Sequence, residues 1–535
     1  MIQTALQCRT NDIAPSTAAP RGQRWWSLAV LVFAGVLFTA RLGARSPWSE
    51  EVRWAEIPRE MEQSGRWFWP TFNGRTYYDK PLGSYWLVML ARRIPGISEE
   101  TAARLPCALA GFLSVALVTS LARRCYGGAA APLAGLVAAT SFSFVFFARH
   151  ASADMETVAG MLAALWLFLR YEHRPDGWWS LPFWLMMALT SLTKGLLGFA
   201  LPCVVIGSYR ASQVALPRWT GREIVGWLGQ MIRAQTWFFH RKTGVGIALA
   251  AAVYVSPFVV SVCQTGSNDG LAMVFRENVR RFIDPVNHRG PVYLYALVIF
   301  ELMAPWSLVL PAALWHAHAD TSTTQPRPDG QKFALAFFWS IFVFFTLSAS
   351  RRSYYLLPIV PAGGLVVSGL LVDARPSLSR ATRWLLLGMR PSRTGWVCGI
   401  AAIFGMTAIY LIALPAAEPL RTRRLFADAV RLHVQDLDDL ALYDEHEVAY
   451  YFAHDRLIQE YDTVEALDEA RCRGKVRWVL TRQTDLEQLR GGFQPVVWEA
   501  EQPWESKKQS RAKLVLLERA RDAPKDPVAG ATAKR

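Results

Sequence analysis

Between residues 25 and 417 the chain repeats apolar runs of up to 25 residues, and no other feature restricts its fold so severely. A helix rises 1.5 Å per residue, so runs of this kind match a hydrocarbon core about 30 Å thick. Inside that core every backbone N–H and C=O must be satisfied within the protein, which favours helices for continuous runs. The runs fall at 26–42, 101–122, 129–148, 155–171, 177–193, 196–209, 243–263, 291–315, 332–349, 354–373 and 395–417. Leu82–Ile94, Trp227–Phe239 and Trp384–Met389 with its flanks are apolar but short. With them, the expectation is a polytopic α-helical membrane protein of about 11–13 transmembrane helices. The Met1–Arg24 leader is polar and lacks a small-residue cleavage site, so the first run reads as an uncleaved anchor.

Residues 421–535 hold no such run and are rich in charge. Five extended patterns, at 440–444, 457–462, 475–480, 495–500 and 513–518, alternate with helical patterns at 445–454, 464–473 and 485–489. A small α/β domain is expected over 421–520, followed by a disordered tail at 521–535. The other divisions are a cytoplasmic tail at 1–24 and a transmembrane domain at 25–420, with a long loop at 45–86.

Orientation follows the loop cations. Arg210, Arg218, Arg222, Arg233, Arg241 and Lys242 fill one connection, and Arg375, Arg380, Arg383, Arg390 and Arg393 another. Both lie on the side of the N-terminus, which is therefore assigned to the cytoplasm. An odd span count then puts the C-terminal domain and the 45–86 loop on the opposite, periplasmic side of the inner membrane. The net charge of +15 suits anionic lipid headgroups, and a chain that is mostly bilayer has little use for nucleic acid. The seven cysteines are scattered and form no metal-binding or disulfide spacing.

Ser49–Trp86 reads SEEVRWAEIPREMEQSGRWFWPTFNGRTYYDKPLGSYW, dense in carboxylates, cations and aromatics. A turn between two membrane helices needs only a few residues, so a connection of this length and chemistry reads as an active-site loop at headgroup level. Four further clusters recur near span ends: Arg149-His150 with Asp154-Met155-Glu156; Lys194; Arg276, Glu277, Arg280, Arg281, His288 and Arg289; and Arg351-Arg352-Ser353-Tyr354-Tyr355. Charge beside a span is costly and asks for a role. Counting spans puts all five clusters on one face. Cations there would hold a phosphate, aromatics would line the substrate, and a carboxylate would act as base or steady developing positive charge. Simpler roles compete. Glu56, Arg59, Glu60, Glu62 and Arg66 have the spacing of a solvated helix face. Arg149 and Arg289 suit snorkelling at a span end, Asp154 a helix N-cap, and Lys194 a bend between two runs.

At these residues the chain resembles the GT-C membrane glycosyltransferases, and within them the lipid A aminoarabinose transferases and their relatives the protein O-mannosyltransferases. The likeness is carried by the loop just quoted and by FFARHASADMET, LTKGLLGFALP, FRENVRRF followed by HRGPVYLY, and SRRSYYLLPIVP, and it covers residues 26–373. It implies inverting transfer of 4-amino-4-deoxy-L-arabinose or a related sugar from undecaprenyl phosphate to lipid A or another envelope acceptor. The implied catalytic residues are Glu50 and Asp154. Donor phosphate and substrate fall to Glu51, Arg53, Tyr77, Tyr78, Lys80, Lys194, Arg280, Arg281, His288, Arg352 and Tyr355. The expected partners are this donor, this acceptor and membrane lipids, with the protein a monomer and no cofactor.

Two positions depart from the family. The loop opens with Glu50-Glu51 where the family has Asp-Glu, and one methylene moves a carboxylate by about 1 Å, a misplacement that can cost on the order of a hundredfold in rate. Asn278 stands where relatives have a histidine, so a metal bridging that loop to Asp79 is not expected. A hydroxyl acceptor, as in protein O-mannosylation, would need a positioned base, whereas a lipid A phosphate would not. A flippase for lipid-linked sugars would use the same cations, but its site belongs at mid-membrane.

Overall fold

The computed structural model describes residues 21–48, 50–174, 177–215, 221–280, 290–319, 329–372, 380–386, 390–420, 422–445, 447–452, 456–500 and 513–520. The chain divides into two compact units. One comprises Met1–Ala44, Met61–Pro70 and Tyr78–Pro415, the other Arg45–Glu60, Thr71–Tyr77 and Ala416–Arg535. The second unit thus takes in two stretches of the long loop together with the C-terminal domain.

The apolar runs become helices close to their expected bounds. In chain order the α-helices up to Phe275, including those between the runs, are α1 (Arg21–Thr39), α2 (Glu51–Ser64), α3 (Gly83–Arg92), α4 (Glu99–Tyr126), α5 (Ala130–Thr140), α6 (Phe142–Ala148), α7 (Asp154–Tyr171), α8 (Ser180–Lys194), α9 (Leu197–Ser212), α10 (Gly221–Ala234), α11 (Arg241–Thr265) and α12 (Asp269–Phe275). Apolar helices follow at Leu294–Leu302, Leu310–Ala319, Asp329–Leu347, Ile359–Val372 and Pro391–Thr407. Among the described residues four helices are long and apolar enough to cross a membrane unaided: Glu99–Tyr126, Arg241–Thr265, Asp329–Leu347 and Arg393–Ala416. The other runs are shorter, more polar or broken. The 129–148 run bends by 67° between α5 and α6. Ser141 and Thr140 hydroxyls turn back to Val137 and Leu136 carbonyls, and the freed Phe142 N–H donates to Ala304 O at 2.9 Å. Broken backbone at membrane depth is tolerated because a neighbouring segment satisfies it. At ten residues, α3 is about 15 Å long and cannot cross alone.

Helices of the first unit approach closely through small residues. An added Cβ on Gly160 of α7 would lie 1.9 Å from Thr190 Oγ1 of α8, and one on Gly83 would lie 2.6 Å from Leu192 O. Arg149 does not snorkel. It is buried, donating to Leu37 O and to Ala40 O (2.9 Å), while Arg104 donates to Leu42 O at 2.9 Å. Two cations therefore satisfy the carbonyls at the end of α1, where the helix dipole favours positive charge.

In the second unit a mixed sheet has the strand order β4-β3-β5-β7-β6. The strands are β3 (Leu440–Tyr443), β4 (Gln459–Tyr461), β5 (Trp478–Arg482), β6 (Phe493–Trp498) and β7 (Leu514–Arg519); β1 (Thr71–Phe72) and β2 (Arg75–Thr76) form a separate hairpin. The sheet pairs β3 in parallel with β4 and β5, and β7 antiparallel to β5 and β6. Val479, Val515, Leu517, Phe493 and Leu467 form its core. The five expected strands and the helix at 464–472 match the sequence reading, and the tail at 521–535 lies outside the described residues.

The reading of α2 as a solvated face is corrected. Glu56, Arg59 and Glu60 are 1%, 2% and 7% exposed. Arg59 pairs with Glu56 at 2.5 Å, and Glu60 accepts from Asn73 N, Gly74 N and the Thr71 hydroxyl at 2.5, 3.1 and 2.7 Å. Periodic charge in sequence resembles a solvated helix, but here Glu60 binds the adjoining hairpin and Arg59 pairs with Glu56. Only the end of the row behaves as expected: Arg66 is exposed and Glu62 is partly so.

Candidate active site

In the first unit the site is built from helix ends. Asp154 opens α7 and Lys194 closes α8, and because these helices run antiparallel the two side chains meet in an ion pair, 10% and 16% exposed. Thr157 and Thr193 hydroxyls join one turn deeper at 3.1 Å. The Lys194 ammonium also lies 5.5 Å from the ring centres of both Tyr354 and Tyr355, within cation–π range. Arg352 donates to the Tyr354 hydroxyl and lies over that ring. Ser353–Leu356 forms the 3₁₀ turn that carries the two tyrosines. Asp154, Lys194 and Tyr355 line a small cleft together with Leu197, Leu201, Phe345 and Leu357.

A second anchor ties this cluster to the loop before the 291–315 run. Gly195 ends α8 with φ +86°, a left-handed conformation that glycine adopts freely. The following Leu196 N–H donates to Asn278 Oδ1 at 2.7 Å, and the Asn278 amide donates to Val274 O at 2.8 Å. Asn278 lies in the π-helical turn Arg276–Arg280. From that turn Arg276 reaches Asp79 (3.3 Å) and Tyr78 O (3.0 Å), and Glu277 meets Lys80 at 3.5 Å. The clusters around residues 79–80, 154, 194, 276–280 and 352–355 are therefore joined within one unit. Arg280 is exposed, while Arg281 and His288 lie outside the described residues. Tyr78 is buried and donates to Phe68 O at 2.9 Å. Burial raises the pKa of this phenol above its ordinary value, which keeps it a neutral donor.

The second unit holds Glu50, Glu51, Arg53 and Tyr77. Arg53 is their hub: it donates to the Tyr77 hydroxyl at 2.5 Å and pairs with Glu50 at 3.5 Å and Glu447 at 3.7 Å. Burial opposes the charge on Arg53, but Tyr77, Glu50 and Glu447 outweigh it and raise its pKa above the ordinary guanidinium value. Glu50 is about half exposed at its side chain. Glu51 is buried and accepts from Trp48 N at 3.0 Å, which fixes the turn that leads into α2.

The sequence reading did not single out Glu447. Its partner Arg53 is far away in the chain, so no local pattern pointed to it. Glu277 and Tyr354 sit in the charged clusters of the sequence, but only the fold shows that they meet Lys80 and Arg352. The residues around Asn278 do not fit a bridging metal. Both ends of the Asn278 amide are engaged with backbone, and Asp79 is paired with Arg276. Among the described residues, no three His, Cys, Asp or Glu side chains gather in a way that could hold an ion.

Comparison with known proteins gives these parts a context. A family model described as dolichyl-phosphate-mannose-protein mannosyltransferase matches residues 79–233. An undecaprenyl phosphate-alpha-4-amino-4-deoxy-L-arabinose arabinosyl transferase of Pseudomonas fluorescens is 28% identical over 361 residues, covering 65% of this chain and 60% of its own length. A second transferase of that description from the same organism is 27% identical over 430 residues, covering 75% and 69%. The chain thus spans less than two thirds of the first of these relatives. The crystal structure of ArnT from Cupriavidus metallidurans bound to undecaprenyl phosphate superposes with a TM-score of 0.69 at 19% identity, covering 92% of this chain and 98% of that one. An oligosaccharyltransferase from Archaeoglobus fulgidus does so with a TM-score of 0.51 at 13% identity, covering 87% and 70%. The protein is an integral membrane protein of the GT-C glycosyltransferase fold. In sequence it is similar to the aminoarabinose transferases and, over residues 79–233, to the protein mannosyltransferases.

Proposed function

We propose that the protein transfers 4-amino-4-deoxy-L-arabinose or a related sugar from a polyprenyl phosphate to lipid A or another envelope acceptor, with inversion. The observation that carries this reading is the Asp154–Lys194 pair beneath Tyr354 and Tyr355, joined through Gly195 and Asn278 to the turn that meets Lys80. Fixed cations beside a cleft lined partly by leucine and phenylalanine suit a phosphate on a lipid tail. The names of the relatives support the donor and the sugar.

In the proposed reaction the acceptor oxygen attacks the anomeric carbon. The bond from that carbon to the phosphate oxygen breaks, and polyprenyl phosphate leaves. Lys80, Lys194, Arg53 and Arg352, with Arg280, Arg281 and His288, balance the leaving charge. Tyr77, Tyr78, Tyr355 and Glu51 shape or support the substrate site. The carboxylates Glu50 and Asp154 steady positive charge on the sugar, and with a hydroxyl acceptor one of them takes its proton. A phosphate acceptor is already anionic and needs no such base. Because cations serve the phosphate, the reaction runs without an essential metal. The enzyme works as a monomer in the inner membrane, with its catalytic face periplasmic.

The test is sugar transfer by the purified protein in lipid nanodiscs, with synthetic undecaprenyl-phosphate aminoarabinose and lipid A, read by mass spectrometry and repeated in EDTA. A product one sugar heavier supports the reading, and donor consumption without any glycosylated acceptor, across a panel of envelope lipids, rejects it. Movement of intact donor across the bilayer in place of transfer would mark a flippase.

A further inference from the structure

Helix α10 has no part in this chemistry, yet it is built with two different apolar stripes. Ile224, Trp227 and Met231 are partly covered by the protein. Val225, Leu228 and Ile232 form the neighbouring stripe and are 70%, 50% and 72% exposed. Glu223, Gln230 and Arg233 occupy the remaining arc, together with Gly226 and Gly229. Spacing of i, i+3 and i+7 puts each apolar set on one line along the helix.

The helix is fixed by protein contacts on its inner side. Arg210 Nε donates to Ala234 O at 2.6 Å, and Gln235 donates to Gly207 O at 3.2 Å. Directly after the helix, buried Trp237 packs among Phe168, Trp179 and Phe183 with ring centres 4.8, 5.2 and 5.7 Å away. These partners lie at the end of α7, the start of α8 and the end of α9, opposite to Asp154 and Lys194 on the same helices. Its outward stripe thus has a set direction, and folding leaves it uncovered.

We propose that α10 lies in the membrane interface on the face opposite the candidate site, with Val225, Leu228 and Ile232 among acyl chains and Arg233, Arg241 and Lys242 on anionic phospholipid headgroups. Continuity favours lipid as the occupant. The connection leaves one membrane helix, α9, and enters another, α11, whose outer residues Val245, Ile247 and Leu249 are also exposed. Phe239, 80% exposed, bridges the two surfaces. Tryptophan marks the same level: Trp178 is 61% exposed, with Lys242 5.3 Å from its ring. A helix that is apolar on one side, basic nearby and anchored by aromatics has the composition of an interfacial segment.

The experiment uses the full-length protein in nanodiscs containing phosphatidylglycerol. An environment-sensitive fluorophore is attached at single cysteines replacing Leu228, Ile232, Glu223 or Gln230. Leu228→Cys and Ile232→Cys should be quenched several-fold more strongly by nitroxide-labelled lipid than the other two, and be shielded from aqueous iodide. Equal iodide quenching at all four positions would overturn the proposal. So would shielding that vanishes when each disc holds one copy, because the cover would then be another protein molecule. If the cysteine-free background misfolds, a benzophenone amino acid at position 228 in the otherwise native chain should cross-link to lipid, and cross-links only to protein reject the idea. Phosphatidylglycerol retained through purification should fall several-fold in R233Q/R241Q/K242Q, and equal retention would rule out the anionic part.

Discussion

Lys194→Met is the perturbation that bears most directly on the site. It removes an ammonium from a pair whose side chains are 10% and 16% exposed, leaving Asp154 with much of its surface away from water. Removing one member of a buried ion pair costs about 3–5 kcal/mol. Residual exposure at the helix ends puts this pair near the lower figure, about 3 kcal/mol, or more than a hundredfold in the unfolding equilibrium. Asp154→Asn should cost a similar amount, because it strands the ammonium. The double variant removes both charges, and its loss should be well below the sum, about 1 kcal/mol. Unfolding of the three variants by SDS titration in mixed micelles, against the parent, measures the cycle. Sugar transfer should vanish in all three, so the double variant separates restored folding from lost chemistry. Additive losses, or a Lys194→Met cost under about 0.5 kcal/mol, would refute the argument that these charges depend on each other.

Glu50→Gln keeps the shape of the side chain but cannot take a proton, so transfer to a hydroxyl acceptor should disappear while transfer to a phosphate acceptor falls less; equal rates on both acceptors at the parental level would remove Glu50 from the chemistry. Lys80→Ala deletes a charge-assisted contact in the range of about 1.5–3 kcal/mol, so the KM for donor should rise at least tenfold with the protein still folded. Calorimetric binding of undecaprenyl phosphate checks this independently of turnover. Asn73→Ala removes both side-chain hydrogen bonds to the backbone of Ile458, at 2.9 and 3.0 Å, and should destabilise the second unit by about 1–3 kcal/mol. Faster hydrogen exchange around residues 456–461 would report it, and unchanged exchange would contradict it.

The sequence by itself determined the membrane class, the approximate bounds of the helices and the C-terminal strands. It did so because hydrocarbon and strand pairing act on local composition and periodicity. Clusters such as YYDK, Asp154, Lys194 and RRSYY were also visible, because charge beside an apolar run is costly enough to stand out. Only the tertiary structure decided what each charge does. Glu60 looked like part of a solvated face and instead holds the Asn73-Gly74 turn. Arg149 looked like a snorkelling end and caps α1. Asn278 looked like a lost metal ligand and ties Leu196 to Val274. Glu447 had no signature at all, since its meaning lies in Arg53, a residue in a distant segment of the chain. Pattern reads the solvent each segment meets, but a charged side chain takes its role from whichever partner the fold brings within a few ångströms.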